Sequence, residues 1–230
     1  MFIGVRARRS ASFMARSAFF SFLMMGLSGF AYADANKGAL LADQGNSATG
    51  LPACAACHGD KGAGLPYDGP RLAGLDKNYI LKQLADFRAG RRISPLMQPV
   101  AQAMSTADAE DLADYYSGVT APSEAESFAP GVLAKWRRIA VDGKSSLRMP
   151  ACETCHAPGG IGVVPNFPYL AGQKSAYIES QLQDWRIGKR RNDPLGVMKS
   201  VARKLSPSDI RAVAAYFASL APPSRQGGGK

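Results

Sequence analysis

Two five-residue segments carry the chemistry of this chain. Cys54-Ala-Ala-Cys57-His58 and Cys152-Glu-Thr-Cys155-His156 each set two thiols three residues apart, with an imidazole directly after the second. On one helical turn, residues i and i+3 share a face, so the two thiols project together. Such a pair can add across the two vinyl groups of a haem to give thioethers, and the next residue then points its imidazole at the iron. Cys-x-x-Cys-His is the attachment motif of c-type haem. The same residues also fit an i,i+3 disulfide in an oxidising compartment, a redox dithiol or a zinc site. Haem is favoured because the motif occurs twice, each time followed by Pro-x-Leu-Ala-Gly and by a Met in matching register.

Counting narrows the sixth iron ligand. The chain has two histidines, His58 and His156, and four cysteines, all within the motifs. Bis-His and thiolate ligation within the chain are thereby excluded. Met is the usual remaining choice in electron carriers, and it raises the potential. Met97 lies 39 residues after His58 and Met198 lies 42 after His156; each stands eight residues before a Ser, Ser105 or Ser206. Met104 is the rival of Met97, but its counterpart is Leu205, which marks it as core. The carbonyls of Pro70 and Pro168 are candidates to accept the proximal His Nδ1–H and so fix ring orientation. Arg88 and Arg186 are placed either to reach haem propionates or to face solvent. Tyr79, Tyr177, Phe87 and Trp185 read as pocket walls.

The elements that hold these residues are written twice. At an offset of 98, Gly45 meets Gly143, Pro70 meets Pro168, Tyr79 meets Tyr177, Gln83-Leu84 meets Gln181-Leu182 and Arg88 meets Arg186. After a three-residue insertion the offset becomes 101, and Met97 meets Met198 while Tyr115 meets Tyr216. Two homologous domains are expected, 36–118 and 128–225, joined by a linker 119–127 and followed by a disordered tail 226–230. Helices are predicted over 38–43, 78–89, 130–140 and 176–187. The Gly/Pro-rich stretches 59–74 and 157–172 are predicted as loops. Ser105 with Asp108, and Ser206 with Pro207 and Asp209, predict capped final helices. Strand signals are weak, so the fold class is all-α. A domain of some 85 residues rich in loop is hard to stabilise with its own core; a covalently fixed apolar cofactor supplies the missing burial.

The first 33 residues read as a secretory signal peptide. A basic stretch precedes the apolar run AFFSFLMMGLSGF, and Ala31-Tyr32-Ala33 offers a cleavage site, with Ala35 as a second. The apolar run is short for a membrane span of about 20 residues. Net charge is +10; the leader carries Arg6, Arg8, Arg9 and Arg16 and no acid, so the remainder carries 28 − 4 − 18 = +6. Haem propionates reduce this further. No basic stripe interleaved with aromatics suggests nucleic acid. With no histidine outside the motifs, no Ser/His/Asp constellation exists.

With its two ACxxCH motifs, PRLAG and PYLAGQ, QLADFRAGRR and QLQDWRIGKR, and RNDPLGVM before the terminal helix, the mature chain resembles the cytochrome c4 family of diheme cytochromes. The resemblance implies two class I cytochrome c folds related by an approximate twofold, with propionate edges facing across the interface and His/Met ligation of both irons. It implies a periplasmic electron carrier working from a quinol-oxidising complex towards a terminal oxidase, often attached to the periplasmic face of the inner membrane. Two other roles stay open: the electron-accepting subunit of a periplasmic dehydrogenase, and a diheme peroxidase, which needs an open position on one iron. Two departures fall in the first repeat. Leu75 stands where the second keeps Gln173, and Ile93-Ser94-Pro95 shortens the loop before Met97.

Overall fold

Glycines end the opening helix of each repeat where the chain must turn towards its cysteines. The computed structural model describes residues 34–223 except 67, 68 and 124, together with residues 1 and 4; the expected leader, those two residues aside, and the expected tail lie outside the described residues. Helix α1 (Ala35–Gln44) starts at Asp34, whose carboxylate accepts from the Asn36 N–H, and stops at Gly45. Gly45 has φ +69, and a Cβ there would sit 2.2 Å from the Leu51 carbonyl oxygen, so only glycine fits. An Asn46–Leu51 bridge closes the loop that delivers Cys54 to the short helix α2 (Ala55–His58).

Three further helices complete the first repeat. Asp76 caps α3 (Lys77–Arg88) by accepting from the Tyr79 N–H. Helix α4 (Met97–Ala103) contains Pro99 in its first turn, where a missing N–H costs nothing. Helix α5 (Thr106–Gly118) opens with the expected capping box, Ser105 and Asp108 each satisfying the other's backbone N–H.

The second repeat follows the same order: α6 (Pro130–Asp142), α7 (Glu153–His156), α8 (Ser175–Ile187), α9 (Val197–Lys204) and α10 (Pro207–Ala218). Gly143, with φ +72 and a Lys144–Met149 bridge beyond it, matches Gly45. Ser206, Pro207 and Asp209 cap α10 as expected. Among the described residues the β structure consists of isolated bridges. Among the described residues each loop after a cysteine motif holds one 3-10 turn, Asp60–Gly62 or Pro158–Gly160, and the second also a Val163–Phe167 bridge.

In each repeat the first helix packs on the last, and the long middle helix packs on the last and on the short helix that carries the Met. Gly38 brings α1 into backbone contact with α5; a Cβ there would lie 2.1 Å from the Asp111 carbonyl oxygen. Leu41, Leu51, Ile80, Leu84, Met104, Leu112 and Tyr116 form the first core, and Met149, Ile178, Leu182, Leu205, Ile210, Val213 and Phe217 the second. Met104 is core, as its counterpart Leu205 indicated. The segment between α5 and α6 is pinned down. Arg71 donates to the carbonyls of Ala121 and Pro122, both at 2.8 Å, and Glu126 accepts from the Ser175 N–H and hydroxyl at the positive end of α8.

Candidate functional site

Each cysteine motif forms a single helical turn that buries its histidine. His58 and His156 are both 7% exposed. His58 Nδ1 lies 3.0 Å from the Pro70 carbonyl oxygen, and His156 Nδ1 lies 2.8 Å from that of Pro168. A carbonyl can only accept, so each Nδ1 carries the proton and Nε2 is left as the free lone pair. Burial pulls both imidazoles below their ordinary pKa, the proline carbonyl acts against that, and Arg92 or Arg190 nearby lowers it further. Both rings are thus neutral and oriented, the state an iron ligand needs.

The four thiols are free. Burial pushes Cys54 above the usual thiol range and takes Cys152 up to about 12. That is the reverse of the lowered pKa that marks an attacking redox thiolate. Among the described residues no three His, Cys, Asp or Glu side chains converge as a metal cluster requires.

The two methionines stand at the starts of α4 and α9 rather than in open loop. Met97 is the first residue of α4 and its N–H donates to Ser94 Oγ at 3.1 Å; Met198 is the second of α9 and its N–H donates to the Asp193 carboxylate. Met97 and Cys54 pack against the first core, and Met198 and Cys152 against the second. One thiol and the Met of each repeat thus border the same apolar cluster. Ser94 and Asp193 were not singled out in the sequence, although a Ser or Asp before a helix is a capping signal.

Arg88 is exposed, in keeping with its expected solvent-facing role, and is also tied down. Its guanidinium donates to the carbonyls of Ala101 and Met104, at 2.8–3.0 Å, and ties α3 to the end of the Met97 helix. Tyr79 and Tyr177 do more than wall a pocket: Arg190 donates to the Tyr79 hydroxyl at 3.2 Å, and Arg92 to that of Tyr177 at 2.6 Å. Trp185 Nε1 is buried without a hydrogen-bond partner. A buried donor left open in this way fits a group with acceptor oxygens. The free thiols and oriented imidazoles show that each repeat fits a covalently held haem, and in the second repeat Trp185 adds the open donor.

The two repeats share one buried polar seam. Gln173 accepts from the Arg71 N–H at 2.8 Å and donates to its carbonyl at 3.0 Å, and Tyr169 donates to the Ala73 carbonyl at 2.8 Å. Leu75, at the position corresponding to Gln173, is buried in the first core. The departure noted in sequence is therefore a one-sided bridge between repeats.

Comparison with known proteins agrees with this geometry. The family model described as cytochrome c matches residues 37–119 and again 140–221. A thiosulfate dehydrogenase electron acceptor from Stutzerimonas stutzeri (strain A1501) is 42% identical over 193 residues, 82% of this chain and 88% of that protein. Cytochrome c4 from Pseudomonas aeruginosa is 36% identical over 200 residues, 86% of this chain and 95% of that one. The crystal structure of reduced recombinant cytochrome c4 from Pseudomonas stutzeri superposes with a TM-score of 0.69 at 35% identity, over 82% of this chain and 99% of that one.

Proposed function

The chain belongs to the cytochrome c family, in its two-domain cytochrome c4 branch, and on that premise we propose which residues hold its two haems. Cys54 and Cys57 form the thioethers of the first, with His58 and Met97 as axial ligands. Cys152 and Cys155 hold the second, with His156 and Met198. The protein is an electron carrier, not an enzyme, and its cofactors are two covalent haem c groups. The haems supply the one-electron couple. The chain orients each imidazole through the carbonyl of Pro70 or Pro168, holds the backbone of each Met through its N–H on Ser94 or Asp193, and keeps water from the irons with two apolar cores. The observation that carries this reading is the repetition of one arrangement, buried His on Pro carbonyl with Cys and Met on a shared core, in both halves. A pyridine haemochrome assay of the purified protein tests it: two haems per chain are expected, and one haem contradicts it.

The family supports a setting as well. The carrier works in the periplasm, at the periplasmic face of the inner membrane. Among the described residues no helix is long and apolar enough to cross a membrane. Its partners are redox proteins. The first reading is a shuttle from a quinol-oxidising complex towards a terminal oxidase. The 42% identity to a thiosulfate dehydrogenase electron acceptor, against 36% to cytochrome c4, favours a second: direct reduction by a periplasmic dehydrogenase. Stopped-flow reduction of the oxidised protein separates them. Fast reduction by thiosulfate dehydrogenase with thiosulfate supports the second; fast reduction only by a quinol-oxidising complex with quinol supports the first.

A further inference from the structure

The last helices of the two repeats hold one aromatic ring each in the same setting. Tyr116 in α5 and Phe217 in α10 are equivalent residues, each following a matched tyrosine, Tyr115 or Tyr216. Both are buried, at 3% and 0% exposure. The Gly74 N–H donates to the Tyr116 carbonyl at 2.8 Å, and the Gly172 N–H to that of Phe217 at 2.9 Å. Each ring lies against the 3-10 turn of its own repeat: a Cβ on Gly62 would meet Tyr116 Cε1 at 2.8 Å, and one on Gly160 would meet Phe217 Cε1 at 2.6 Å. Each also sits beside its tyrosine neighbour, at centroid distances of 5.0 and 5.1 Å. The two rings therefore do the same packing, and packing does not explain the hydroxyl of Tyr116.

That hydroxyl is sealed within the first core and meets no nitrogen or oxygen partner among the described residues. Cys54 packs on the same core. Burial raises both groups above their ordinary pKa. Beyond burial, a side-chain interaction joins them: the Tyr116 hydroxyl pulls the Cys54 thiol down, and Cys54 pushes the phenol up. The second repeat is built otherwise. Burial takes Cys152 up to about 12, and the neighbours that act on it are Glu153 and Cys155. The hydroxyl of Tyr216 faces the Glu153 carboxylate, at 3.3 Å.

A free thiol can donate or accept a hydrogen bond, whereas a thioether sulfur has lost its hydrogen and can only accept. Once Cys54 is bonded, one arrangement of the pair remains, in which Tyr116 donates and the sulfur accepts. A buried donor left without any acceptor is costly, which favours that arrangement. We propose that Tyr116 tunes the first haem through the Cys54 sulfur, donating its O–H to it and raising the potential of that haem alone. The inference rests on the reading that Cys54 forms a thioether with the first haem. The positive end of the O–H dipole is turned towards the edge of a ring system that carries more negative charge when reduced, and the low dielectric of the core strengthens its effect. Phe217 leaves the second haem without this donor. The electron shared by the two repeats is thereby biased towards the first.

The test uses the purified holoprotein, Tyr116→Phe and, as a control at the neighbouring ring, Tyr115→Phe. Haem content is measured first: an unsubstituted protein without two haems overturns the haem reading and this inference with it. Spectroelectrochemical titration then gives the two potentials. Met97→Ala identifies the first haem, because loss of its Met lowers that potential. Resonance Raman gives the thioether C–S stretching band. Tyr116→Phe is expected to make the first haem about threefold harder to reduce, about 28 mV for one electron, to leave the second potential in place and to shift the C–S band. Tyr115→Phe moves neither. Tyr116→Phe with two haems and with potentials and band unmoved overturns the inference while the haem reading stands, even where its denaturation midpoint falls, since the hydroxyl then serves only the core. A shift confined to the second haem overturns it too, as does a Tyr116→Phe protein that fails to retain two haems, which marks the hydroxyl as structural.

Discussion

Arg88 and Ala101 are joined by two hydrogen bonds, the Nε and Nη2 groups of the arginine both reaching the alanine carbonyl oxygen, at 3.0 and 2.8 Å. Nη2 continues to the Met104 carbonyl at 2.8 Å. The contact closes the C-terminal end of α4, where carbonyls lack helical partners, with the charge sign that the helix dipole favours. Met97 stands at the other end of the same helix. The counterpart Arg186 donates no hydrogen bond among the described residues.

Arg88→Ala is therefore expected to cost about 2 kcal/mol, the scale of a lost charged hydrogen bond that strands buried carbonyls. Guanidinium unfolding followed at the haem bands measures it. Arg186→Ala is expected to cost less than half as much; equal losses contradict the assigned role of Arg88.

Gly38 sets how closely α1 approaches α5. Gly38→Ala gains about 1 kcal/mol in helix propensity, but its methyl group collides with the Asp111 backbone and forces the helices apart. The net expectation is a loss of about 2 kcal/mol, read as a lower denaturation midpoint. A higher midpoint refutes the close crossing.

Asp86 links acid stability to the seam. Burial works to raise its pKa, but Lys82, Arg91 and Asn192 outweigh burial and hold the carboxyl below its ordinary value. A group depressed on folding stabilises fully above its unfolded pKa, about 3.9, and that contribution is lost as pH falls through the folded value. Asp86→Asn is thus expected to be less stable than the parent at pH 6, with the difference shrinking as pH drops below about 4. A difference that grows on acidification contradicts this.

The legible parts of the fold were those written in local chemistry. Ser105 with Asp108 and Ser206 with Asp209 announced two helix starts, and both form. The cysteine motifs placed their histidines in single helical turns, and the repeat register brought each Met to its core. Helices α4 and α9 were missed because they are short and one carries Pro99, which marks a loop unless its place in the first turn is known. The seam was illegible for a different reason. Arg92, Gln83 and Asn192 are ordinary polar residues by type, and only the docking of the two repeats shows that they are buried together.

The central claim is that both irons carry a protein methionine. The weak red-edge charge-transfer band of oxidised Met-ligated haem measures it directly, in the parent protein and in Met97→Ala and Met198→Ala. The account predicts two-haem intensity in the parent and loss of about half in each variant, with a high-spin signal from the opened iron. A parent band of one-haem intensity, or a Met97→Ala variant that keeps the full band, contradicts it.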